Sequence, residues 1–514
     1  MWERSRDYAE FYRRAGIEPG QVVIVMLRHS PDLYASFVGA ILCGAVPSFM
    51  PYPTPKQDVA LFWAGHRTLF ARIVPSAVVS YDEIADRLQE SLPSQTLLLR
   101  HEDVRSFAHR IAPRTAGPDE VAFLQHSSGT TGSKKGVMLT HRALMAQVES
   151  YGRAIGFDRS SVIASWLPLY HDMGLIACFL LPLVVGATIC QLDPIEWVGA
   201  PNSLLDIVER HGAGFTWLPN FAFDHLAFAA RRSGKTWDLS TWRAVINCSE
   251  PCKPASMENL AGALATSSFD PDVPQICYAM AETVFAVTQT KVHEPIPMLQ
   301  ASKAGMTAHR FAAPIDDDDT IRLASCGTPI SGATVEIVSA DGDILSDGQV
   351  GEIRISGPSL YDGYHKLPTV TAAKFKSGWH HTGDLGFLWQ GELYVSGRTD
   401  DLIIVRGRNF YAHDIENIVN SVSGVKPGRC VVFALDNART GTSDAVCMVE
   451  LTGDVEADLV KRDIKTQVEQ ASGLMLARVV AMPLASLIKT TSGKISREMN
   501  KVRYVESGNG VKTA

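Results

Sequence analysis

Apolar positions in the first half of the chain fall into short unbroken runs separated by segments of helical period. Gln21-Val22-Val23-Ile24-Val25-Met26-Leu27 reads as a buried strand; Leu33, Phe37, Val38, Ile41 and Leu42 then recur at helical spacing, and Ala45-Val46-Pro47 opens another extended piece. Strand, helix and strand at these lengths predict a βαβ unit of a parallel sheet. The alternation continues. Val121-Ala122-Phe123-Leu124 is a strand, and a helix begins near Thr140-His141. Ile163 to Leu167 is a strand that passes through Pro168 and Gly174 into an apolar stretch, Leu175 to Cys190, read as a buried helix and strand. Phe215 to Leu218 follows a helix that ends near Arg210-His211-Gly212, and Val245 to Ser249 and Ile276 to Ala279 are further strands ending in polar turns.

The period changes after Gly327. Thr334-Val335-Glu336-Ile337-Val338 and Gly351-Glu352-Ile353-Arg354-Ile355 alternate and are punctuated by glycine, which predicts an antiparallel, hairpin-rich piece. Beyond Gly397, strands are predicted at Cys430–Leu435, Ala445–Leu451 and Arg478–Met482, with Val460, Ile464, Val468 and Ala471 on one face of a helix. That is a small α+β unit. A chain of 514 residues is too long for one core and implies two or more domains.

Composition changes this picture little. A net charge of -7 gives no reason to expect nucleic acid or an anionic membrane as partner. The run Asp316 to Asp319 reads as a solvated loop. Nine cysteines are scattered, mostly in apolar runs, with no CxxC pair, which fits a reducing cytoplasm better than a zinc site or a disulfide framework. The polar start lacks a secretion signal, and no uninterrupted run of about 18 apolar residues suggests a membrane span.

The candidate chemistry centres on Ser127-Ser128-Gly129-Thr130-Thr131-Gly132-Ser133-Lys134-Lys135-Gly136. Glycines let backbone N–H groups turn towards a ligand, hydroxyls donate to phosphate oxygens and lysines neutralise charge, so a strand feeding this loop suits polyphosphate binding. No Gly-Lys-Ser/Thr closes it, which argues against a P-loop NTPase.

The loop resembles the phosphate-binding loop of the adenylate-forming superfamily, which includes acyl-CoA synthetases, peptide-synthetase adenylation domains, luciferase and fatty acyl-AMP ligases. Further motifs follow in the order of that superfamily, from about Val22 to Arg503: Leu167-Pro168-Leu169-Tyr170-His171-Asp172-Met173-Gly174, Ser249-Glu250-Pro251, Tyr278-Ala279-Met280-Ala281-Glu282, Thr382-Gly383-Asp384, Gly397-Arg398-Thr399-Asp400 and Gly493-Lys494. Compared with its members the chain begins late, some tens of residues being absent.

The resemblance implies an α/β fold: a large N-terminal domain of parallel-sheet βαβ layers over residues 1–398, with a small β-barrel-like subdomain at about 322–398. A small mobile α+β domain follows over 399–514, hinged at Asp400. It implies ATP and Mg²⁺ as cofactors and a carboxylic acid as substrate. Ser127, Ser128, Gly129, Thr130, Thr131, Gly132 and Lys135 would hold phosphates. Ser249, Glu250, Pro251, Tyr278, Ala279, Met280 and Ala281 would enclose the adenine, with Tyr278 stacked on it. Glu282 and Thr130 would bind the metal, Asp384 the ribose, and Arg398 would lie near ribose and phosphate. Lys494 is the implied catalytic lysine, bridging carboxylate and α-phosphate. His171, Trp217, Leu218 and Asn220 would line the acyl pocket. Trp217 and Leu218 stand where fatty acyl-AMP ligases carry small residues, which predicts a shorter or redirected pocket.

The wording is closest to the fatty acyl-AMP ligases, which pass the acyl group to carrier-protein phosphopantetheine. Their insertion before Thr-Gly-Asp is missing, since only Lys376 to His381 separate Phe375 from Thr382. That short form, like Asp400, is typical of enzymes that use free CoA. Acyl carrier protein and CoA stay open as acceptors. An amine acceptor is another reading, and a non-catalytic nucleotide-binding relative a further one.

Overall fold

A computed structural model describes residues 1–54, 59–126, 134–302, 305–306, 320–405, 408–437, 442–453, 455–490 and 494–509. The loop residues Ser127 to Ser133, including Thr130, and the run Asp316 to Asp319 lie outside the described residues.

The first βαβ reading holds. Strands β1 (Val22–Val25), β2 (Val46–Phe49), β3 (Ala77–Ser80) and β4 (Leu97–Arg100) form a parallel sheet in the order β2-β1-β3-β4. The helix Pro31–Cys43 joins β1 to β2; Pro31 starts it and Gly44, at φ +86°, ends it. β1, β2 and β3 are buried along their whole length, as expected of strands covered on both faces.

β5 (Val121–His126) runs antiparallel to β6 (Gly136–Thr140), so the candidate phosphate loop is the connection of a hairpin. β6 has no signal in the sequence pattern; it exists through its pairing with β5. Thr140 then caps the helix His141–Ala154, its Oγ1 accepting from Ala143 N at 3.1 Å.

A seven-stranded sheet carries most of the candidate site. Its order is Thr328–Pro329, β12 (Ala286–Gln289), β11 (Pro274–Ala279), β10 (Ala244–Asn247), β9 (Phe215–Leu218), β7 (Val162–Ser165) and β8 (Thr188–Gln191). The run from β11 to β8 is parallel, and β12 is antiparallel. Ligands of open α/β sheets bind beyond the carboxyl ends of such strands, and Pro168–Asp172, Ser249–Pro251 and Tyr278–Glu282 all lie there.

The barrel-like piece is a curled five-stranded antiparallel sheet built from Thr334–Val338, Gly351–Ser356, Phe375–Lys376, Trp379–Trp389 and Glu392–Arg398. Register shifts between Glu352 and Arg354 and between Leu385 and Gly386 bend it. Residues 322–324 belong instead to a separate pair, Thr320–Ala324 with Met298–Ser302.

From Ile403 onward the chain builds clusters of its own, one around Ile415, Val432, Val449 and Ile464 and another around Phe433, Met448 and Tyr504. The strands Val425–Asn437, Thr442–Leu451 and Leu476–Met482 pair there, with the helix Ala457–Ser472 alongside. Val460, Ile464 and Val468 are buried on that helix as read, but Ala471 is exposed, because the packed stripe ends one turn before the helix does. Among the described residues no helix is long and apolar enough to cross a membrane.

Candidate active site

The turn after β10 carries the first wall. Ser249 sits at φ +70°, a left-handed conformation that costs a residue other than glycine roughly 1–2 kcal/mol. Asn220 holds this turn: its Oδ1 accepts from Asn247 Nδ2 at 3.0 Å and from Lys253 N at 2.9 Å, and its Nδ2 donates to Ser256 Oγ at 3.1 Å. The Asn220 amide is thus committed to the turn rather than turned towards an acyl chain. Glu250 Oε2 accepts from Phe221 N at 3.4 Å.

The second wall joins β11 to the curled sheet. Tyr278 donates its hydroxyl to Asp384 Oδ2 at 2.6 Å, and Arg398 Nε donates to Asp384 Oδ1 at 2.7 Å. Asp384 and Arg398 are register partners on adjacent strands. Thr382 Oγ1 accepts from Asp384 N at 2.9 Å and donates to the Ile353 carbonyl at 2.7 Å, which fixes the carboxylate in place. Burial, with Asp384 beside it, pushes the Tyr278 hydroxyl well above its ordinary range, so it stays a donor. Asp384 in turn raises the Arg398 guanidinium. Aromatic ring, carboxylate and cation form one hydrogen-bonded unit.

Glu282 follows in a short turn, Ala281–Thr283, that leads into Val284 at φ +65°. A β-branched residue there is a genuine outlier, held by the Met280 N to Phe285 O bond of 2.9 Å. Tyr364 donates its hydroxyl to Glu282 Oε1 at 2.7 Å, Tyr361 N donates to the Glu282 carbonyl at 2.9 Å, and Lys135 lies 5.1 Å from the Tyr364 ring centre. Tyr364 escaped the sequence reading. Its one signal was the aromatic pair Tyr361 and Tyr364 around Gly363, which is common in cores.

His171 stands on the turn from Pro168 to Gly174. A Cβ at Gly174 would fall 2.3 Å from the Pro168 carbonyl oxygen, so only glycine lets the turn pack this tightly. His171 Nε2 is buried with no hydrogen-bond partner among the described residues. Burial, then the positive charges of Lys134 and Lys494, lower its pKa to about 3. The ring is neutral near pH 7. Lys494 crosses from the C-terminal residues and donates its Nζ to the Ser249 carbonyl.

Trp217 is not part of this wall. It is fully buried, donates Nε1 to the Tyr151 hydroxyl at 2.8 Å, and Tyr151 donates onward to Gln289 Oε1 at 3.1 Å. Leu218 is also fully buried. An apolar cavity of about 20 Å³ lies beside Tyr170, lined among others by Leu33, Phe49, Met50 and Tyr52. That is room for about one water molecule.

At the end of β5, His126 approaches Ser48 Oγ at 2.8 Å through Nδ1, and His66 stacks on Phe62 with ring centres 4.0 Å apart. Burial first, then the Lys134 charge, lowers His66 to about 4 and His126 well below its usual value. Both pKa values are depressed on folding, so the unfolded chain binds more protons below about pH 6.5 and stability falls as pH falls towards the folded values. His66→Phe should therefore lose about 2 kcal/mol less than the parent between pH 7 and pH 5, as read from urea unfolding at the two pH values.

The Tyr278–Asp384–Arg398 unit and a lysine that reaches the Ser249 carbonyl come together at the strand ends. The chain belongs to the AMP-binding enzyme family, whose model matches residues 1–365, and through it to the adenylate-forming superfamily. It is 30% identical over 511 residues to the putative ligase Rv1013 of Mycobacterium tuberculosis, covering 98% of this chain and 93% of that one. It is 31% identical over 404 residues to the medium-chain-fatty-acid–[acyl-carrier-protein] ligase JamA of Moorena producens, covering 76% of this chain and 68% of that one. A structure from a study of fatty acyl-adenylate ligases from E. coli and L. pneumophila shares the fold with a TM-score of 0.88, at 24% identity over 98% of this chain and 91% of the other.

Proposed function

We propose that this enzyme activates a fatty or medium-chain carboxylic acid with ATP and passes the acyl group to the phosphopantetheine thiol of an acyl carrier protein. A carboxylate oxygen attacks the α-phosphorus, the bond from that phosphorus to the oxygen bridging to the β-phosphate breaks, and pyrophosphate leaves. The thiol sulfur then attacks the acyl carbon, AMP leaves, and the thiol proton passes to water. The observation that carries this reading is the reach of Lys494 to the Ser249 carbonyl, next to the Tyr278–Asp384–Arg398 unit. An ammonium there neutralises the charge that builds between two anions. His171, neutral and with Nε2 lacking a partner among the described residues, offers a hydrogen-bonding group where the acid would meet the nucleotide.

Glu282 suits Mg²⁺: Tyr364 fixes one oxygen, and the other has no protein partner among the described residues. The ion when bound would neutralise phosphate charge; Thr130 would be its other protein ligand. Domain rotation about Asp400 would withdraw Lys494 and admit the thiol, which suits two incompatible demands on one site. The setting is a reducing cytoplasm.

Free CoA is the second reading, and one observation favours it. Ser377 and Gly378, at φ +51° and +82°, close a two-residue hairpin between Phe375–Lys376 and Trp379, without the extra segment of the carrier-dependent ligases. Pyrophosphate release across a panel of carboxylic acids, followed by CoA and holo-carrier protein in turn, separates the readings. Fatty or medium-chain acids should trigger release, and the carrier should then be acylated. Acylation of CoA alone would favour the second reading, and no release with any acid would end the adenylation proposal.

A further inference from the structure

Lys494 stands on a hairpin whose backbone is closed by Ser496 N donating to the Ile488 carbonyl at 2.9 Å and Thr490 N to the Lys494 carbonyl at 2.7 Å. The base of that hairpin is pinned twice. Asn500, fully buried, donates Nδ2 to the Ile488 and Ser496 carbonyls at 2.9 and 2.7 Å and accepts from Ile488 N at 3.0 Å. Arg497, three residues past the lysine, spends its guanidinium on groups from three other stretches. Its Nε donates to Asp401 Oδ1 at 2.9 Å, and its Nη1 to Glu416 Oε1 and to the Val432 carbonyl, the latter at 2.5 Å.

Asp401 adjoins the candidate hinge Asp400, Glu416 belongs to the helix Ala412–Ser421, and Val432 to the strand Val425–Asn437. The neighbour of Glu416, Asn417, accepts from Lys253 Nζ at 2.7 Å, on the same turn whose Ser249 carbonyl Lys494 reaches. Only a forked, planar cation meets acceptors in this arrangement; a lysine offers a point charge on a flexible stem.

We propose that Arg497 is a positioning residue for Lys494: it locks the lysine hairpin to the hinge-side Asp401 and to Glu416, so that closure of the domain sets the ammonium at one place over the turn at Ser249. This rests on the adenylation role of Lys494 proposed above. A purely structural staple would serve both halves of the reaction equally. A device that aims Lys494 serves only the half in which the lysine acts.

The test compares Arg497→Met with Lys494→Ala in two assays: pyrophosphate release from ATP and acid, and thioester formation from acyl-AMP supplied ready-made. Arg497→Met should lower kcat for pyrophosphate release by about a hundred-fold, the scale of a misplacement near 1 Å, with KM for ATP unchanged and transfer from acyl-AMP preserved. Parent-level pyrophosphate release, or equal losses in both assays by a folded variant, overturns the inference. If Arg497→Met fails to fold, seen as lost protease resistance from residue 402 onward, Glu416→Gln and Asp401→Asn are judged by the same two criteria. Undiminished pyrophosphate release by Lys494→Ala would instead overturn the reading on which the inference stands.

Discussion

Lys494→Ala should lower acid-dependent pyrophosphate release by about a hundred- to a thousand-fold, the usual loss when one preorganised donor is removed from a developing charge. The effect is expected in kcat. The ammonium contributes most where carboxylate and α-phosphate come together, and little to the separate reactants. Stability should stay within about 0.5 kcal/mol of the parent, as for surface substitutions generally, because the lysine side chain is only partly buried and, among the described residues, it donates to a single carbonyl. Thermal melting and transfer from supplied acyl-AMP should both match the parent. Pyrophosphate release at the parent rate would contradict the assignment of the lysine.

The second large effect is at Trp217. Its indole is fully enclosed and is the donor in a chain that runs to Tyr151 and Gln289. Its strand neighbour across β10 is Ile246, and the Phe215 ring lies parallel 6.2 Å away. Trp217→Gly removes the whole indole from a packed core, so stability should fall by about 3–5 kcal/mol, the range of Trp and Phe truncations. The vacated volume lies at the end of β9, beside the strand that leads to the Ser249 turn. If the indole also limits the acyl pocket, the variant should accept longer acids than the parent in a chain-length profile of pyrophosphate release. A destabilised variant with an unchanged profile would assign Trp217 to packing alone. The Tyr151 hydrogen bond already accounts for part of its burial.

Much of the architecture was legible because its strands are buried on both faces. Val22–Val25 reads as an unbroken apolar run, Val245 to Ser249 as a strand ending in a polar turn, and Val460, Ile464 and Val468 mark a helix face by spacing alone. β6 was not legible: Gly136-Val137-Met138-Leu139-Thr140 becomes a strand only by pairing with β5, where Gly136 meets His126 and Thr140 meets Val121. Asn220 and Trp217 carried a pocket reading because of where they fall in the order of motifs. Their hydrogen bonds tie one to the turn at Ser249 and the other to Tyr151.

Burial periodicity and local stiffness are properties of neighbouring residues, so the kind and order of the elements, and the residue types able to meet a nucleotide, could be read along the chain. Which side chains meet is decided by the closing of long loops, and no local pattern encodes that. Tyr278 finds Asp384 across 106 positions and Lys494 finds Ser249 across 245. The orientation of Glu282 by Tyr364 and the anchoring of the lysine hairpin by Arg497 follow from how the sheets and the small C-terminal domain pack, where each polar group must find a partner once water is excluded.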